Sequence, residues 1–286
     1  MDGNTFLIQT LNGVQAGLLL FLIASGLTLI FGIMHIINLA HGALYMIGAY
    51  LAFWLSAQLG NFWLAALASI PIALLLGVVL ERFLIRRLYS RDHLDQVLLT
   101  FGLILVFDAL QSIIWGNDSH GVPMPELLSG SIQITDNLQY PVYRLFVSGV
   151  CIFIALAMYL VLQKTRLGMI IRGGANNREM VQALGVNISK TYTVVFSVGA
   201  LMTAFAGVIA APVSSVYPGM GNEVLILCFV VVVIGGIGSV KGAFLGALLV
   251  GLFQTWGMVL VPDFAGAVVY ALMALVLLFK PRGLFA

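Results

Sequence analysis

The sequence has little charge and almost no cysteine. Only 8% of its 286 residues are Asp, Glu, Lys or Arg, whereas 61% are hydrophobic, and the mean hydropathy is +1.09. About a quarter of the residues in an ordinary soluble domain are charged, so this composition excludes that class. The two cysteines, Cys151 and Cys228, lie inside apolar runs. We expect them to be packing residues, and we predict neither a disulfide framework nor a metal site.

The motifs of several enzyme classes are missing as well. The chain contains no G-x-x-x-x-G-K-[ST] phosphate loop, no H-E-x-x-H pair and no G-x-S-x-G nucleophile elbow. The segment "IASG" at residues 23–26 lacks the glycine that an intramembrane serine protease has two positions before its serine. We therefore predict no catalytic residue, no cofactor and no nucleic-acid partner. If ATP drives this protein, another chain hydrolyses it.

Apolar runs long enough to cross a membrane recur along the whole chain. A helix of about 20 apolar residues crosses a hydrocarbon core of about 30 Å. We therefore predict an all-α integral membrane protein, with residues 1–286 forming a single polytopic bundle of eight or nine transmembrane helices, some of them broken. The predicted spans are residues 6–31, 43–58, 62–80, 97–115, 143–163, 191–212, 223–236, 244–261 and 264–279.

The positions of Lys and Arg predict the orientation of these spans. Eleven of the thirteen lie in the loop after the third span, in the segment 164–190 and in the tail from Lys280. The positive-inside rule makes these three segments cytoplasmic, so the N-terminus is outside and the C-terminus is in the cytoplasm. Arg144 then lies on the outer side, and Lys241 lies at a break between two short apolar pieces. The first span starts beside Asp2 without a basic segment, so we expect it to be retained.

A long polar segment, residues 116–142, separates the fourth and fifth spans on the predicted outer side. It carries three prolines and the acidic residues Asp118, Glu126 and Asp136. We interpret it as a structured cap or docking surface. A solvated connector is the alternative interpretation.

Three polar residues stand out inside the apolar runs. Asn38 and His41 lie three positions apart in "INLAHGALYMIGAY", and Asp108 lies in the middle of "LILVFDALQSII". An unpaired polar group in hydrocarbon costs several kcal/mol. Asn38 and His41 could therefore satisfy backbone groups at a helix break, or they could line a passage for a polar solute. A central Asp costs roughly 2.5 to 3.5 kcal/mol on insertion. We expect Asp108 to bond a neighbouring helix, with a proton relay as the alternative.

A weak internal repeat relates the two ends of the chain. The segment "HGALYMIGAY" from His41 resembles "KGAFLGALLV" from Lys241, and the apolar run before each ends in glycine. Matching interruptions of this kind are typical of transporters and indicate the substrate path. We predict helix breaks or hinges at Gly32, Gly42, Gly235, Gly236, Gly238 and Gly242. Other small residues at four-residue spacing, such as Gly13 and Gly17, are expected to allow close helix packing.

The segment 164–190 contains a predicted short helix. Asn176 followed by Glu179 is an N-terminal capping pattern, and Gly185 provides a C-terminal stop. The bracketed helix of about eight residues is roughly 12 Å long and too short to cross a membrane. Its apolar side comprises Met180, Val181, Ala183 and Leu184. Such a helix needs a partner, which is either a groove in a cytoplasmic protein or its own membrane domain.

Four motifs together resemble one transporter family. They are "LNGVQAGLLLFLIASGLTLIFGIMHIINLAHGALYMIGAY", "ERFLIRRL", "GANNREMVQALGVN" and "VVVVIGGIGSVKGAFLGALLVGL". In this order they resemble the branched-chain amino acid permease family of ABC importers, and within it the shorter of two permease types. The resemblance covers essentially the whole chain. It implies a type II-like ABC importer permease in the bacterial inner membrane.

The resemblance also implies partners and a mechanism. The partners are a second, related permease, two cytoplasmic ATPase subunits, a periplasmic solute-binding protein seated on the outer loop, and membrane lipid. Residues Arg178 to Gly185, with Glu179 among them, correspond to the coupling loop that docks on the ATPases. Alternating access would then rock the bundle about its glycine breaks. The candidate pathway residues are Asn12, Gln15, Asn38, His41 and Glu223.

Two residues depart from the family pattern and leave the substrate open. Lys241 stands where an uncharged residue or Pro is common, and Asp108 stands where a basic or amide residue is common. Members of the family also carry amides, urea and aromatic acids. Two other classes stay open as well: an ion-coupled secondary transporter, for which Asp108 is the candidate coupling acid, and a passive channel for urea or water.

Overall fold

The computed structural model of the chain describes residues 3–89, 91–135 and 138–285. It is a helical bundle, as the sequence predicts. The helices are α1 Gly3–Met34, α2 His41–Leu59, α3 Phe62–Phe83, α4 His93–Trp115, α5 Val142–Lys164, α6 Arg166–Asn176, α7 Arg178–Ala183, α8 Ile188–Ala210, α9 Met220–Gly235, α10 Val240–Leu260 and α11 Ala265–Phe279. Short 3-10 turns occupy Ile85–Leu88, Glu126–Leu128 and Pro262–Phe264, and one hairpin pairs β1 Ser131–Thr135 with β2 Leu138–Pro141.

Eight of the described helices are long and apolar enough to cross a membrane, so the chain is a multi-pass membrane protein. They are α1, α2, α3 with the 3-10 turn that follows it, α4, α5, α8, α10, and α11 with the 3-10 turn that precedes it. The predicted span 223–236 corresponds to α9, which has only 16 residues. At 1.5 Å per residue this helix is about 24 Å long, so it falls short of the hydrocarbon thickness.

Two helices form the centre of the bundle. The apolar windows of α1 and α8 are 83% and 72% buried, whereas those of α4, α5 and α11 are at most 17% buried. Small residues explain why α1 packs so closely along α10. A Cβ atom added to Gly251 would lie 2.4 Å from the Gly17 nitrogen and 2.5 Å from the Gly13 oxygen. The glycines at four-residue spacing therefore bring two backbones into contact, as the sequence predicts.

Loop contacts divide the bundle into two ends. The loops after α4 and α8 meet where His120 and Val216 exchange backbone hydrogen bonds of 2.8 Å. At the other end, the Leu284 nitrogen donates to the Ile234 oxygen at 2.9 Å. We call this other end the basic end, because it carries the three cation-rich segments. Lys241 lies there too, since it lines one cavity with Arg172.

The long segment after α4 is folded. Its hairpin pairs Ile132 with Tyr140, and the His120 ring stacks on Phe53 with a centroid separation of 4.2 Å. Glu126 begins a 3-10 turn, and Asp118 is exposed. Asp136, which the sequence analysis placed in the same surface, lies outside the described residues. The side of the membrane on which this segment lies stays a prediction.

The segment between α5 and α8 contains two helices where the sequence analysis predicted one. The capping residue of the second helix is Asn177, whose side chain accepts a bond from the Met180 nitrogen at 2.9 Å, and the predicted cap Asn176 instead ends α6. The helix α7 has six residues and is about 9 Å long. Gly185 adopts a φ of +84°, which confirms the predicted stop.

Candidate translocation and coupling sites

The chain between α1 and α2 turns back on itself, and its last residues lie inside the bundle. The His41 Nε2 atom lies 2.9 Å from the Ile23 oxygen, although Ile23 precedes the end of α1 by eleven residues, about 16 Å of helix. The linker 35–40 is held to α4, because the Ile37 nitrogen donates to Gln96 and the Ile37 oxygen accepts from Thr100, each at 3.4 Å. Helix α2 therefore begins inside the bundle.

His41 joins three helices at this point. Its ring is fully buried, and Nε2 lies between the Ile23 oxygen and the Thr203 hydroxyl, 2.7 Å away on α8. A carbonyl oxygen only accepts, so Nε2 carries the proton. Gly26 provides room for the ring, since a Cβ atom there would lie 3.1 Å from the ring carbon Cε1. Nδ1 has no hydrogen-bond partner among the described residues.

Asn38 retains unused hydrogen-bonding capacity. Its side chain is 1% exposed, and neither amide atom has a partner in the part of the chain that the structure describes. Leaving a buried donor or acceptor unpaired costs about 1 to 3 kcal/mol. The free atoms of Asn38 and the free Nδ1 of His41 thus make the start of α2 a polar position within an apolar bundle. His41 thus bonds a backbone group, as the first interpretation predicts, whereas Asn38 bonds none among the described residues. A role of either residue in lining a passage stays a prediction.

A second helix begins beside the first. A Cβ atom on Gly42 would lie 2.1 Å from the Gly221 oxygen, and one on Gly221 would lie 2.6 Å from the Gly42 oxygen. The N-terminal turns of α2 and α9 therefore touch through their backbones. Neither helix has a side-chain cap, although the backbone N–H groups of His41, Met220 and Asn222 bond to preceding carbonyl oxygens. Both helices direct the positive ends of their dipoles to this point. We call Asn38, His41, Gly42 and Gly221 the helix-start site.

Two carboxylates lie near the start of α9. Glu223 is exposed and its Oε2 atom accepts from the Tyr217 hydroxyl at 2.7 Å. The preceding residue, Asn222, is also exposed, and its amide nitrogen lies 3.5 Å from the Asp108 Oδ2 atom on α4. Asp108 thus contacts a neighbouring helix, as predicted, and a second carboxylate lies one residue beyond its partner. Asp108 is partly buried, whereas Glu223 is exposed and lines a cavity with residues of α10 and α11. An ionisable residue within a membrane-spanning bundle is by default a candidate functional residue.

The other two predicted pathway residues lie elsewhere on α1. The Asn12 Oδ1 atom accepts from Arg144 Nη1 on α5 at 2.7 Å, and its amide nitrogen donates to Gln9 at 3.3 Å. Gln15, one turn further on, is 7% exposed. The structure therefore places Asn38 and His41 at the start of α2, Glu223 in the first turn of α9 beside α10 and α11, and Asn12 in a polar link between α1 and α5.

The predicted hinge glycines are sites of backbone contact. A Cβ atom on Gly32 would lie 3.1 Å from Gly238 Cα, and one on Gly242 would lie 1.9 Å from the Gly235 oxygen. Gly236 and Gly238 form the turn between α9 and α10, with φ values of +100° and +82°. The structure thus gives these glycines contacts that a larger residue would prevent. Gly32, Gly42 and Gly242 lie inside α1, α2 and α10, so the helix does not break at these three positions. The action of the glycines as hinges stays a prediction.

The predicted coupling helix divides into a buried and an exposed side. Val181 is 9% exposed and packs on Gly173 of α6, whereas Met180 and Leu184 are 59% and 76% exposed. Ala183 is exposed as well. The single apolar face predicted from the sequence is therefore split. One residue anchors the helix to its own domain, and the others remain free for a partner.

A buried carboxylate lies next to this helix, and the sequence analysis did not single it out. Glu81 at the end of α3 is fully buried. It accepts from Arg86 at 3.1 and 3.2 Å, from the Thr193 hydroxyl at 2.7 Å and from the Tyr89 hydroxyl. Burial and the neighbouring carboxylate raise the pKa of Tyr89 well above its usual value. The signal was an acidic residue ending an apolar run, with Arg five positions later in "ERFLIRRL".

Aromatic contacts connect this carboxylate to the coupling helix. The Arg178 guanidinium carbon lies 5.4 Å from the centroid of the Tyr192 ring. The Tyr192 ring in turn meets Tyr89 edge to face at 5.0 Å. Arg178 is the first residue of α7, and Tyr192 and Thr193 belong to α8. A continuous set of contacts therefore leads from α7 through α8 to α3.

Eight apolar helices and two helix starts that meet inside the bundle define a polytopic membrane protein. Residues 9–277 match the family described as branched-chain amino acid transport system / permease component. The chain belongs to this family and is the permease component of a transport system.

Relatives align over nearly the whole chain. It is 32% identical to the high-affinity branched-chain amino acid transport system permease protein BraD of Pseudomonas aeruginosa, over 98% of this chain and 95% of that protein. Identity and coverage have the same values for LivH of Escherichia coli. The probable branched-chain amino acid transport permease protein LivH of Methanocaldococcus jannaschii is 25% identical over 83% of this chain and 76% of its own.

A more distant likeness is found among solved structures. PsaBC from Streptococcus pneumoniae in complex with Fab aligns with 94% of this chain and 89% of its own, with a TM-score of 0.48 and 11% identity. The family assignment rests on the sequence relatives.

Proposed function

We propose that this chain is a membrane subunit of a binding-protein-dependent ABC importer that carries branched-chain amino acids into the cell. Full-length similarity to permeases named for these solutes supports the substrate class. The observation that carries the proposal is the meeting of two helix starts without side-chain caps, at Gly42 and Gly221 inside the bundle, with the exposed carboxylate of Glu223 two residues further along α9. This arrangement suits a zwitterion. The positive ends of the two helix dipoles attract its carboxylate, and Glu223 attracts its ammonium group.

The two ends of the bundle indicate where the partner proteins dock. We place the basic end in the cytoplasm by the positive-inside rule, and the folded segment 116–142 on the periplasmic side of the inner membrane. Two ATPase subunits then dock on the exposed residues Met180 and Leu184. A periplasmic solute-binding protein docks on the hairpin end, and a second, related permease completes the pathway. Membrane lipid surrounds the outer helices α4, α5 and α11, whose apolar windows are at most 17% buried.

Helix α8 connects the two sites. Tyr192 near its start contacts Arg178 of the coupling helix, and Thr203 contacts His41 at the helix-start site. These α8 residues are eleven positions apart, about 16 Å. A displacement of α7 on ATP binding would therefore move α8 as a rigid element and shift the start of α2. Access to the helix-start site would alternate without a second mobile segment.

Transport by reconstituted complexes tests this proposal. The complete transporter, with its ATPases and binding protein, is placed in vesicles, and uptake of radiolabelled leucine is measured with and without ATP. We expect uptake to require ATP and both soluble partners. Uptake that persists on an ion gradient alone indicates a secondary transporter instead, and solute flux through this chain by itself indicates a channel.

Competition then tests the substrate class. Unlabelled isoleucine and valine should reduce leucine uptake, whereas urea, acetamide and benzoate at the same concentration should not. Inhibition by urea or an amide alone would assign the chain to another substrate of the same family. Because ATP dependence is measured separately, this result would leave the ABC mechanism intact.

A further inference from the structure

Lys241 has no role in the proposed transport path, but the cavity that it lines indicates a different role. It lines a cavity of about 240 Å³ at the basic end, together with Arg172 of α6 and Gln163 of α5. Neither cation forms an ion pair with a carboxylate in the described ranges, where the one ion pair joins Glu81 and Arg86. The cavity thus holds two unpaired positive charges.

Two apolar grooves open from this cavity. A groove of about 350 Å³ shares Val240 and Lys241 with it and runs between α5 and α10 as far as Phe21. A second groove of about 400 Å³ shares Leu162 and Ile171 with it and runs between α5 and α8.

Both grooves extend from the basic end toward the middle of the bundle. On α5 the cavity is lined by Gln163, and the far ends of the grooves are lined by Ala155 and Ile154. These positions are eight or nine residues apart, about 12 to 14 Å. A polar chamber with two cations therefore lies where headgroups lie, and two apolar grooves flank α5 at the depth of acyl chains.

We propose that this composite site binds one anionic phospholipid of the surrounding membrane. Arg172 and Lys241 contact the phosphate and its anionic headgroup, and the two acyl chains lie in the grooves on either side of α5. A free phosphate ion would fill the chamber but would leave both grooves empty. A zwitterionic lipid would bring a positive headgroup close to the two cations. The two grooves and the two charges together therefore favour a two-chain anionic lipid.

Lipid binding by the full chain, purified with its co-purifying subunits, tests the proposal. Native mass spectrometry would compare phosphatidylglycerol with phosphatidylcholine of the same acyl chains. Each surface cation contributes about fivefold to anionic lipid affinity, so the double variant K241Q/R172Q should bind phosphatidylglycerol about 25-fold more weakly. The control variant R91Q/K280Q removes the same charge from the basic end but alters no residue that lines the cavity or the grooves. It should bind like the wild type.

A second variant addresses the grooves. Ala155→Trp would fill the groove between α5 and α10 without changing charge, and it should weaken lipid binding at least tenfold. Equal binding of the two lipids by the wild type would overturn the proposal. So would unchanged binding by K241Q/R172Q, or full displacement of the lipid by millimolar inorganic phosphate, which would identify a free-anion site. If the double variant fails to assemble, the wild-type lipid comparison and the Ala155→Trp variant still test the proposal.

Discussion

At the scale of single residues, Glu81 is the polar group on which the local structure depends most. Its carboxylate accepts bonds from Arg86, Tyr89 and Thr193 while being fully buried. Glu81→Ala leaves these donors without their shared acceptor. Removing one partner of a buried ion pair costs 3 to 5 kcal/mol, and Arg86 is 38% exposed. We therefore expect the free energy of unfolding to fall by about 3 kcal/mol. Unfolding in mixed detergent micelles would measure it.

The matched control is an exposed carboxylate. Glu126 begins a 3-10 turn outside the bundle and is exposed. Glu126→Ala should change the free energy of unfolding by less than about 0.5 kcal/mol. Equal stability of the Glu81 and Glu126 variants would mean that the hydrogen bonds of buried Glu81 make no net contribution to the free energy of unfolding.

Asp108 gives a second prediction. Its carboxylate lies 3.5 Å from the Asn222 amide, a contact that an amide side chain can retain. Asp108→Asn should therefore leave leucine uptake within about twofold of wild type, because the interaction is a single weak hydrogen bond. Uptake by the assembled transporter in vesicles measures this. Complete loss of uptake with normal assembly would favour a proton or ammonium site that includes Glu223.

Sequence reasoning found some of these residues and missed others for identifiable reasons. Asn38 and His41 were found because a polar group inside an apolar run is conspicuous. Glu81 was missed because it ends an apolar run, where charge is ordinary, and its carboxylate is bonded by Thr193, which lies 112 positions away in the sequence. Asn12 was predicted in the path, but its partner Arg144 is 132 positions away. No local pattern reveals such pairs.

At the scale of elements, the close contacts between helices depend on glycine. A Leu at position 42 would place its Cβ atom 2.1 Å from the Gly221 oxygen, and one at position 242 would place it 1.9 Å from the Gly235 oxygen. Both distances require the backbones to separate, and overpacking of this kind typically costs 1 to 3 kcal/mol or more. We expect Gly42→Leu and Gly242→Leu to reduce ATP-driven uptake at least tenfold.

Two other glycines provide the control for this prediction. A Cβ atom on Gly102 of α4 or Gly149 of α5 would have no atom within 4 Å. The corresponding Leu variants should transport normally, since the added side chain meets open space in this chain. Undiminished uptake by both the Gly42 and Gly242 variants would contradict the importance of the close contacts.

The split face of α7 gives a prediction about the ATPases. Met180 and Leu184 are exposed, whereas Val181 is buried against the chain itself. The double variant M180D/L184D should retain membrane insertion and thermal stability but lose co-purification of the ATPases. Val181→Asp should instead destabilise the permease, because it buries an unpaired charge. Co-purification of the ATPases at normal yield with M180D/L184D would contradict the coupling role of α7.

Element boundaries were predicted less well than element types. The cap of α7 is Asn177 and not Asn176, because two adjacent asparagines offer the same signal and only the fold of α6 decides between them. The span predicted at 223–236 became a 16-residue helix that begins at Met220. Its start is fixed by contact with Gly42, which lies far away in the sequence. Hydropathy alone carries no information about that contact.

At the scale of the whole molecule, the internal repeat is weak in sequence and modified in structure. Both α2 and α10 begin at the repeated motif, and each follows a helix that ends at or near a glycine. The connection before α10 is a tight turn at the basic end, whereas the linker 35–40 turns back into the bundle. The same motif therefore places His41 at the helix-start site and Lys241 at the basic end. Similar sequence yields different depth because the linkers differ in length.

The contacts of α8 predict that motion is transmitted from the coupling helix α7 to the helix-start site. Tyr192 is the residue that tests this prediction. Tyr192 lies under Arg178 of the coupling helix and against Tyr89, and it begins the helix that contacts His41. Tyr192→Leu keeps an apolar, though smaller, side chain but removes the aromatic face that attracts the guanidinium. We expect ATP hydrolysis to stay within about twofold of wild type, while leucine uptake per ATP falls about fivefold, since residues along coupling networks typically contribute 0.5 to 2 kcal/mol.

Tyr192→Phe is the matched variant, because it retains the ring and both of its aromatic contacts. It should couple like the wild type. A purely structural role would reduce uptake and hydrolysis together in the Leu variant, whereas transmission through α8 reduces only the ratio of solute to ATP. An unchanged ratio in Tyr192→Leu, with normal assembly, would mean that the motion reaches the helix-start site by another route. The contacts of α1 with α6 and α10 would then be the elements to examine, since they also join the basic end to Ile23, the residue that His41 contacts.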